Sequence, residues 1–174
     1  MEESVILIPV QRADPIVRKW REKYDAVALH GIPAHITLLF PFQPPNEINT
    51  QTIEKLKQVF VNVKQFAFFL EKINTFPFVI FLEPSARSMF IILTKEIIRA
   101  FPKYPQYGGK FRSITPHLTV GQLSSEQKID SIKKRIVKDI QNKLPIKSKA
   151  EEAWLMIKNN TEWSLKHRFP FSSR

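Results

Sequence analysis

Residues 33–42 read PAHITLLFPF. A histidine and a threonine stand two apart in an otherwise apolar run that prolines bound at either end. The β-branched and aromatic side chains favour a strand, and proline is tolerated where a strand starts because no ladder donor is needed there. Side chains alternate faces along a strand. His35 and Thr37 therefore share one face, and Ile36, Leu38 and Phe40 share the other. The stretch offers an imidazole and a hydroxyl side by side, held by an apolar back.

The same arrangement returns in residues 115–123, TPHLTVGQL. Here His117, Thr119 and Gly121 fall on one face, and Leu118 and Val120 on the other. The two histidines lie 82 residues apart, and each follows a proline, Pro33 or Pro116, within two positions. Working outward, the order of elements repeats as well. In the first half a strand over residues 5–9 precedes a helix to about residue 24, with Asp14 as N-cap and Pro15 at the first helical position. The His35 strand follows over 34–40, then a helix over 52–64 and paired strands over 66–73 and 78–82. In the second half the pattern predicts a strand over 89–93, a short helix over 96–101 stopped by Pro102, and a loop over 102–109. Then come the His117 strand over 117–123, a long helix marked by Ile129, Ile132, Ile136, Val137, Ile140 and Leu144, and strands over 153–157 and 163–167. Such a pseudo-repeat predicts an α+β fold of two related lobes with a cleft between them, lined by equivalent strands. No Gly/Ser linker separates the halves, so residues 1–174 read as one two-lobed domain.

The chain is long enough for a sizeable core, with 174 residues of which 43% are hydrophobic. It carries 27 basic against 16 acidic residues, a net charge of +11. That surplus favours polyanionic partners: nucleic acid, nucleotides or an anionic membrane surface. The plain alternative is a generally basic soluble protein. Cysteine is absent, which excludes disulfides, thiolate catalysis and cysteine-ligated zinc. The opening MEESVILIPVQR puts acidic residues before a short apolar run, unlike a secretory signal. No apolar run approaches the ~20 residues of a spanning helix. A cytoplasmic protein that does not enter the membrane is expected. No GxSxG, P-loop or dinucleotide fingerprint is present, and no carboxylate accompanies the histidines at metal-ligand spacing. No metal, cofactor or obligate protein partner is expected.

Two imidazoles across a cleft suit phosphodiester chemistry. In-line displacement at phosphorus needs a proton removed from the nucleophile and one given to the departing oxygen. Imidazole titrates near neutrality and can do either. Threonine hydroxyls can hydrogen-bond the non-bridging oxygens as charge builds on them.

The paired HITL and HLTV tetrads resemble the H-Φ-T-Φ motifs of the two-histidine (2H) phosphoesterase superfamily. Within it the resemblance is to the group named for 2′–5′ RNA ligase, the LigT-like RNA 2′,3′-cyclic phosphodiesterases. It spans most of the chain, from the N-terminal strand and helix through IPAHITLLFPF and the second motif to WSLKHRFPF. It implies two pseudo-symmetric lobes of antiparallel sheet with outer helices and a central cleft, and lobes that can exchange strands. It implies metal-independent hydrolysis of 2′,3′-cyclic phosphates or 2′–5′ bonds, acting on RNA ends, 2′–5′ oligonucleotides or cyclic nucleotides. By motif match, His35, Thr37, His117 and Thr119 carry the catalytic roles. Ligation by the reverse reaction and a non-catalytic RNA-end or nucleotide-binding module are the alternatives.

Lys110 and Arg112 precede the second motif, where they could hold a substrate phosphate or serve as solvated loop charges. Tyr107 and Tyr104 could stack on a base or simply pack their loop. Gly108 and Gly109 give that loop the freedom of a lid. The lysine-rich segment 128–149, with KKR at 133–135, reads as the exposed face of a helix that could track an RNA backbone. His30 and His167 lie outside any H-x-T pattern and read as structural. Trp20, Trp154 and Trp163 fit core positions.

Overall fold

Val5, Ile6, Leu7 and Ile8 are all buried, so the first strand has no solvent face and must run inside a sheet. In the computed structural model, which describes residues 2–125 and 128–173, this strand is β1 (Glu3–Pro9). Its neighbours are β2 (His35–Leu39) and β7 (Glu152–Asn159), and β8 (Glu162–Pro170) forms the far edge, in the order β2-β1-β7-β8. The second sheet uses β3 (Phe66–Phe76), β4 (Val79–Pro84), β5 (Leu118–Gln122) and β6 (Ile146–Ala150), in the order β5-β4-β3-β6. All pairings are antiparallel. The architecture is α+β, and the two sheets match position for position, each with its motif strand at one edge.

A division at mid-chain does not describe the sheets. The C-terminal strands β7 and β8 complete the sheet of β1 and β2, whereas β3 joins β4, β5 and β6. The helices cross over too. Helix α1 (Asp14–Tyr24) follows β1 yet packs on β5, and α4 (Arg87–Ala100) follows β4 yet packs on β2. The short α2 (Ala26–Leu29) continues from α1, α3 (Thr50–Phe60) packs on α4, and α5 (Ile129–Ile140) lies against β3 and β4. Lys19 Nζ and Trp20 Nε1 donate to Asp139 at 2.7 and 2.8 Å, tying α1 to α5. A continuous core results, with Ile6, Ile36 and Leu155 from one sheet and Phe68, Ile80 and Leu118 from the other.

Several expected elements change. Residues 89–93 are not a strand but part of α4, whose buried Phe90, Leu93, Thr94 and Ile97 follow helical spacing. In the repeat, β4 takes the place of that strand. Asp14 is not the N-cap of α1; Ala13 holds that position, and an Asp14 carboxylate oxygen accepts from the Ala34 N–H at 2.8 Å. Segment 128–149 is not one helix. It passes from α5 into β6, where Lys147 and Lys149 alternate with buried Ile146, Ser148 and Ala150.

Both motif strands carry the same irregularity. Leu7 faces Thr37, but the next residue back, Ile6, faces Leu39. Phe81 faces Thr119, but Ile80 faces Gly121. Each motif strand thus holds one extra residue, Leu38 or Val120, directly after its threonine, and a bulge resets the alternation beyond it. Gly121 consequently does not share the face of His117 and Thr119. It turns to the core, where a Cβ would stand 3.0 Å from the Cβ of Tyr24. Phe40 likewise leaves the face of Ile36 and packs with Val5, Leu7, Trp154 and Trp163, on the side of His35 and Thr37.

Candidate active site

His35 opens β2 and His117 immediately precedes β5. Behind them, Ala34, Ile36 and Leu38, and on the other strand Leu118 and Val120, are fully buried, while both histidines and Thr37 and Thr119 are half-buried. The apolar back fixes each strand and leaves the polar pair facing out of the core. β2 and β5 touch where the two sheets meet, so the two motifs come together although they are distant in sequence.

Both rings are held in one way. His35 Nδ1 lies 2.8 Å from the carbonyl oxygen of Pro33, and His117 Nδ1 lies 2.8 Å from that of Thr115. A carbonyl can only accept, so each Nδ1 carries the hydrogen and donates it. In the neutral ring Nε2 then holds the lone pair, on the side away from the backbone. The two motifs therefore present the same tautomer, with the same atom left for a ligand.

The electrostatics favour neutral rings. Burial pushes His35 down to about 3, and the charge of Arg21 acts the same way. The Pro33 carbonyl opposes both, and His117 adds a smaller push downward. Burial also lowers His117, against the pull of the Thr115 carbonyl. That His117 is felt at His35 means the two imidazoles are close enough to couple.

The supports of the two rings differ. His117 packs against the edges of Phe76 and Phe81, with ring centroids at 5.2 and 5.4 Å, and those two phenyls stack on each other at 4.2 Å. Near His35 the support is ionic. Arg21, on α1, is buried, and its Nε and Nη2 both donate to Asp25 Oδ2, at 3.1 and 3.0 Å. Its Nη1 donates to the Ile32 carbonyl at 3.3 Å and stands 3.8 Å from Asp14 Oδ1. Burial raises the Asp25 carboxyl even though Arg21 pulls it down. An arginine four residues before an aspartate on a helix reads in sequence as an ordinary surface pair. Nothing in that spacing marks Arg21 and Asp25 as buried, and sequence reasoning does not single them out.

The remaining candidates divide. Tyr107 is half-buried, its N–H donates to the Phe40 carbonyl at the end of β2 at 2.6 Å, and burial pushes its phenol up to about 12. Tyr104 is engaged elsewhere: its hydroxyl donates to Glu47 at 3.0 Å and its ring meets Phe42 edge-on. Lys110 and Arg112 are exposed on the loop that leads to His117. Among the described residues they have no ion-pair partner and no contact with either histidine. His30 Nδ1 lies 3.2 Å from Glu162, and the His167 ring packs on Phe169. Of the KKR run, Arg135 covers the Trp20 ring. Among the described residues no three His, Cys, Asp or Glu side chains gather where they could hold a metal ion, and no helix is long and apolar enough to cross a membrane.

Comparison with known proteins gives a concordant picture. A family model described as the 2′-5′ RNA ligase superfamily matches residues 8–162. A protein of Halalkalibacterium halodurans named "Putative phosphoesterase BH1439" is 24% identical over 148 residues, spanning 82% of each chain. Among solved structures, TT0787 of Thermus thermophilus superposes with a TM-score of 0.63 at 13% identity, covering 97% of both chains. E. coli LigT complexed with 3′-AMP superposes with a TM-score of 0.58 at 14% identity, covering 98% of both. At these identities the structural likeness speaks for the fold.

Proposed function

Because the chain belongs to the 2′-5′ RNA ligase superfamily, we propose that it is a phosphodiesterase acting on an RNA-type 2′,3′-cyclic phosphate or 2′–5′ bond. His35 and His117 form the proton-transfer pair, and Thr37 and Thr119 donate to the non-bridging oxygens. The observation that carries this is the matched pair of imidazoles. Each is fixed through Nδ1 to a backbone carbonyl at 2.8 Å, on two strands that touch. A binding module has no need of two such rings, whereas displacement at phosphorus needs one proton acceptor and one proton donor.

In hydrolysis of a cyclic phosphate, water attacks phosphorus while one Nε2 takes its proton. The bond from phosphorus to one ribose oxygen breaks, and the other ring, protonated, gives that oxygen its proton. The products are a phosphomonoester and a free hydroxyl. Each transfer contributes about 10² to 10⁴-fold in rate. Both rings are pushed toward neutrality in the free protein. The donor ring is therefore charged by the substrate itself, because a phosphodiester anion alongside favours the imidazolium. Donors preorganised toward the non-bridging oxygens are worth about 3 kcal/mol each. Lys110, Arg112 and Tyr107, on the loop before the second motif, are the proposed contacts for the rest of the substrate. The 3′-AMP in the E. coli LigT structure supports a nucleotide ligand class. RNA ends, 2′–5′ oligonucleotides and cyclic nucleotides are the substrates to test.

The test is turnover of 2′,3′-cyclic nucleotides and a 2′–5′ dinucleotide in EDTA, comparing wild type with His35→Ala and His117→Ala. Loss of at least about 10²-fold in each variant is expected. Unchanged turnover in either variant removes that histidine from the mechanism. Binding without turnover by wild type on every substrate overturns the enzyme reading in favour of a module.

A further inference from the structure

The inference here concerns how the candidate site is held in place, and it rests on the proton-transfer role given to His35 above. The carbonyl that orients His35 belongs to Pro33, and both neighbours of Pro33 are tied to charged groups of α1. On one side the Ile32 carbonyl accepts from Arg21 Nη1 at 3.3 Å. On the other, the Ala34 N–H donates to Asp14 Oδ1 at 2.8 Å, while the Ala34 carbonyl accepts from the Val10 N–H at 2.7 Å. Arg21 and Asp14 are themselves coupled at 3.8 Å, and Asp25 anchors Arg21 through two N–H donors on one carboxylate oxygen. Arg21 and Asp25 are almost fully buried, with relative exposures of 2% and 4%. A buried arginine is costly unless each of its contacts is specific, and here each falls on a carboxylate or on the segment before His35. Among the described residues no side chain plays this part for Thr115, whose carbonyl orients His117.

We propose that Arg21 is a positioning residue: with Asp25 and Asp14 it clamps residues 32–34, so that the Pro33 carbonyl locks the His35 imidazole in its Nδ1–H tautomer and presents Nε2 to the substrate. The clamp acts through backbone, and Arg21 need not touch the substrate. It makes the two motifs unequal in support. His35 is held by an ion cluster behind its strand, and His117 by two phenyl rings beside it.

The readout that a merely structural role would not move is the tautomer of one histidine. In ¹⁵N-labelled wild type at neutral pH, His35 and His117 should each show one protonated and one unprotonated ring nitrogen, with well-separated shifts. In Arg21→Met the His35 pair should converge as the two tautomers interconvert, while the His117 pair stays in place. Asp14→Ala leaves the Arg21–Asp25 pair intact and removes the acceptor for Ala34, so it tests the clamp even if Arg21→Met fails to fold. It should shift His35 in the same direction. Arg21→Lys keeps the charge without the geometry and should fall between wild type and Arg21→Met. In turnover, kcat should fall about 10- to 100-fold with KM within about threefold, as expected when a reacting group is misplaced. Unmoved His35 nitrogens in folded Asp14→Ala, and in Arg21→Met if that folds, overturn the proposal. If the tautomer shifts appear but wild type turns over no substrate, the clamp stands and the hydrolytic reading falls.

Discussion

A neutral histidine half-buried beside an arginine makes stability depend on pH in a calculable way. The unfolded chain binds a proton on His35 near pH 6.5, whereas the fold holds this ring down to about 3. Between those values the unfolded state carries more protons, so unfolding free energy rises with pH across the window. The contribution is complete above pH 6.5 and is lost progressively as pH falls toward 3. Each pH unit well inside the window is worth about 1.4 kcal/mol. From pH 6.5 to 5.0, His35 alone would remove up to about 2 kcal/mol. Because the ring is only half-buried and can swing toward water, about 1 kcal/mol is the working figure. His117 shifts in the same direction and adds to the slope. The perturbation is His35→Phe, which keeps an aromatic ring and removes the titration. Urea unfolding can be followed by the fluorescence of Trp20, Trp154 and Trp163, all buried, at pH 6.5 and 5.0. Wild type should lose about 1 kcal/mol more than His35→Phe between the two. Equal losses would show that His35 titrates normally and that the fold does not hold it neutral, refuting the electrostatic account of the site.

Other outcomes follow from particular contacts. Thr119→Val removes the hydroxyl of the second motif at nearly constant volume; on the proposed mechanism kcat falls by about 10²-fold with little change in KM, measured on a cyclic nucleotide. Gly121→Ala drives a Cβ to 3.0 Å from the Cβ of Tyr24, and should cost about 1–3 kcal/mol in urea unfolding because α1 and β5 must move apart. Ser148 Oγ is buried and, among the described residues, lacks a hydrogen-bond partner; Ser148→Ala should leave stability unchanged or raise it by about 1 kcal/mol in the same assay.

Much of the architecture is legible in local pattern. The apolar run at Val5–Ile8, the H-x-T strands, the β3–β4 pair and the closing β7–β8 pair can each be found by period and by bounding prolines. Other features depend on partners that sequence does not display. Met89–Ile92 looks like a strand because Ile91 and Ile92 are β-branched. Only a longer window, through Leu93, Thr94 and Ile97, shows the helical stripe. The alternation in Ile146-Lys-Ser-Lys-Ala is legible as a strand, but its lysines make it look like a continued helix. The faces of Phe40 and Gly121 come out wrong from strict alternation because a bulge depends on the register of the neighbouring strand. At the site, the residue types and spacing of the two motifs can be read directly. The clamp of Arg21, Asp25 and Asp14 cannot, because its meaning lies in burial and in contact with the backbone before His35.

The cross-wise packing of α1 on β5 and of α4 on β2 has a mechanical corollary. Each sheet is braced by a helix that the opposite sheet has on its tether, so a relative slide of the sheets pulls on both tethers at once. A severed chain, nicked in the β3–β4 turn, would not part into two self-sufficient halves. The front piece would lack the closing pair of its own sheet, and the rear piece would lack an inner strand. Reassembly from such pieces would have to be mutual, restoring both histidine strands together.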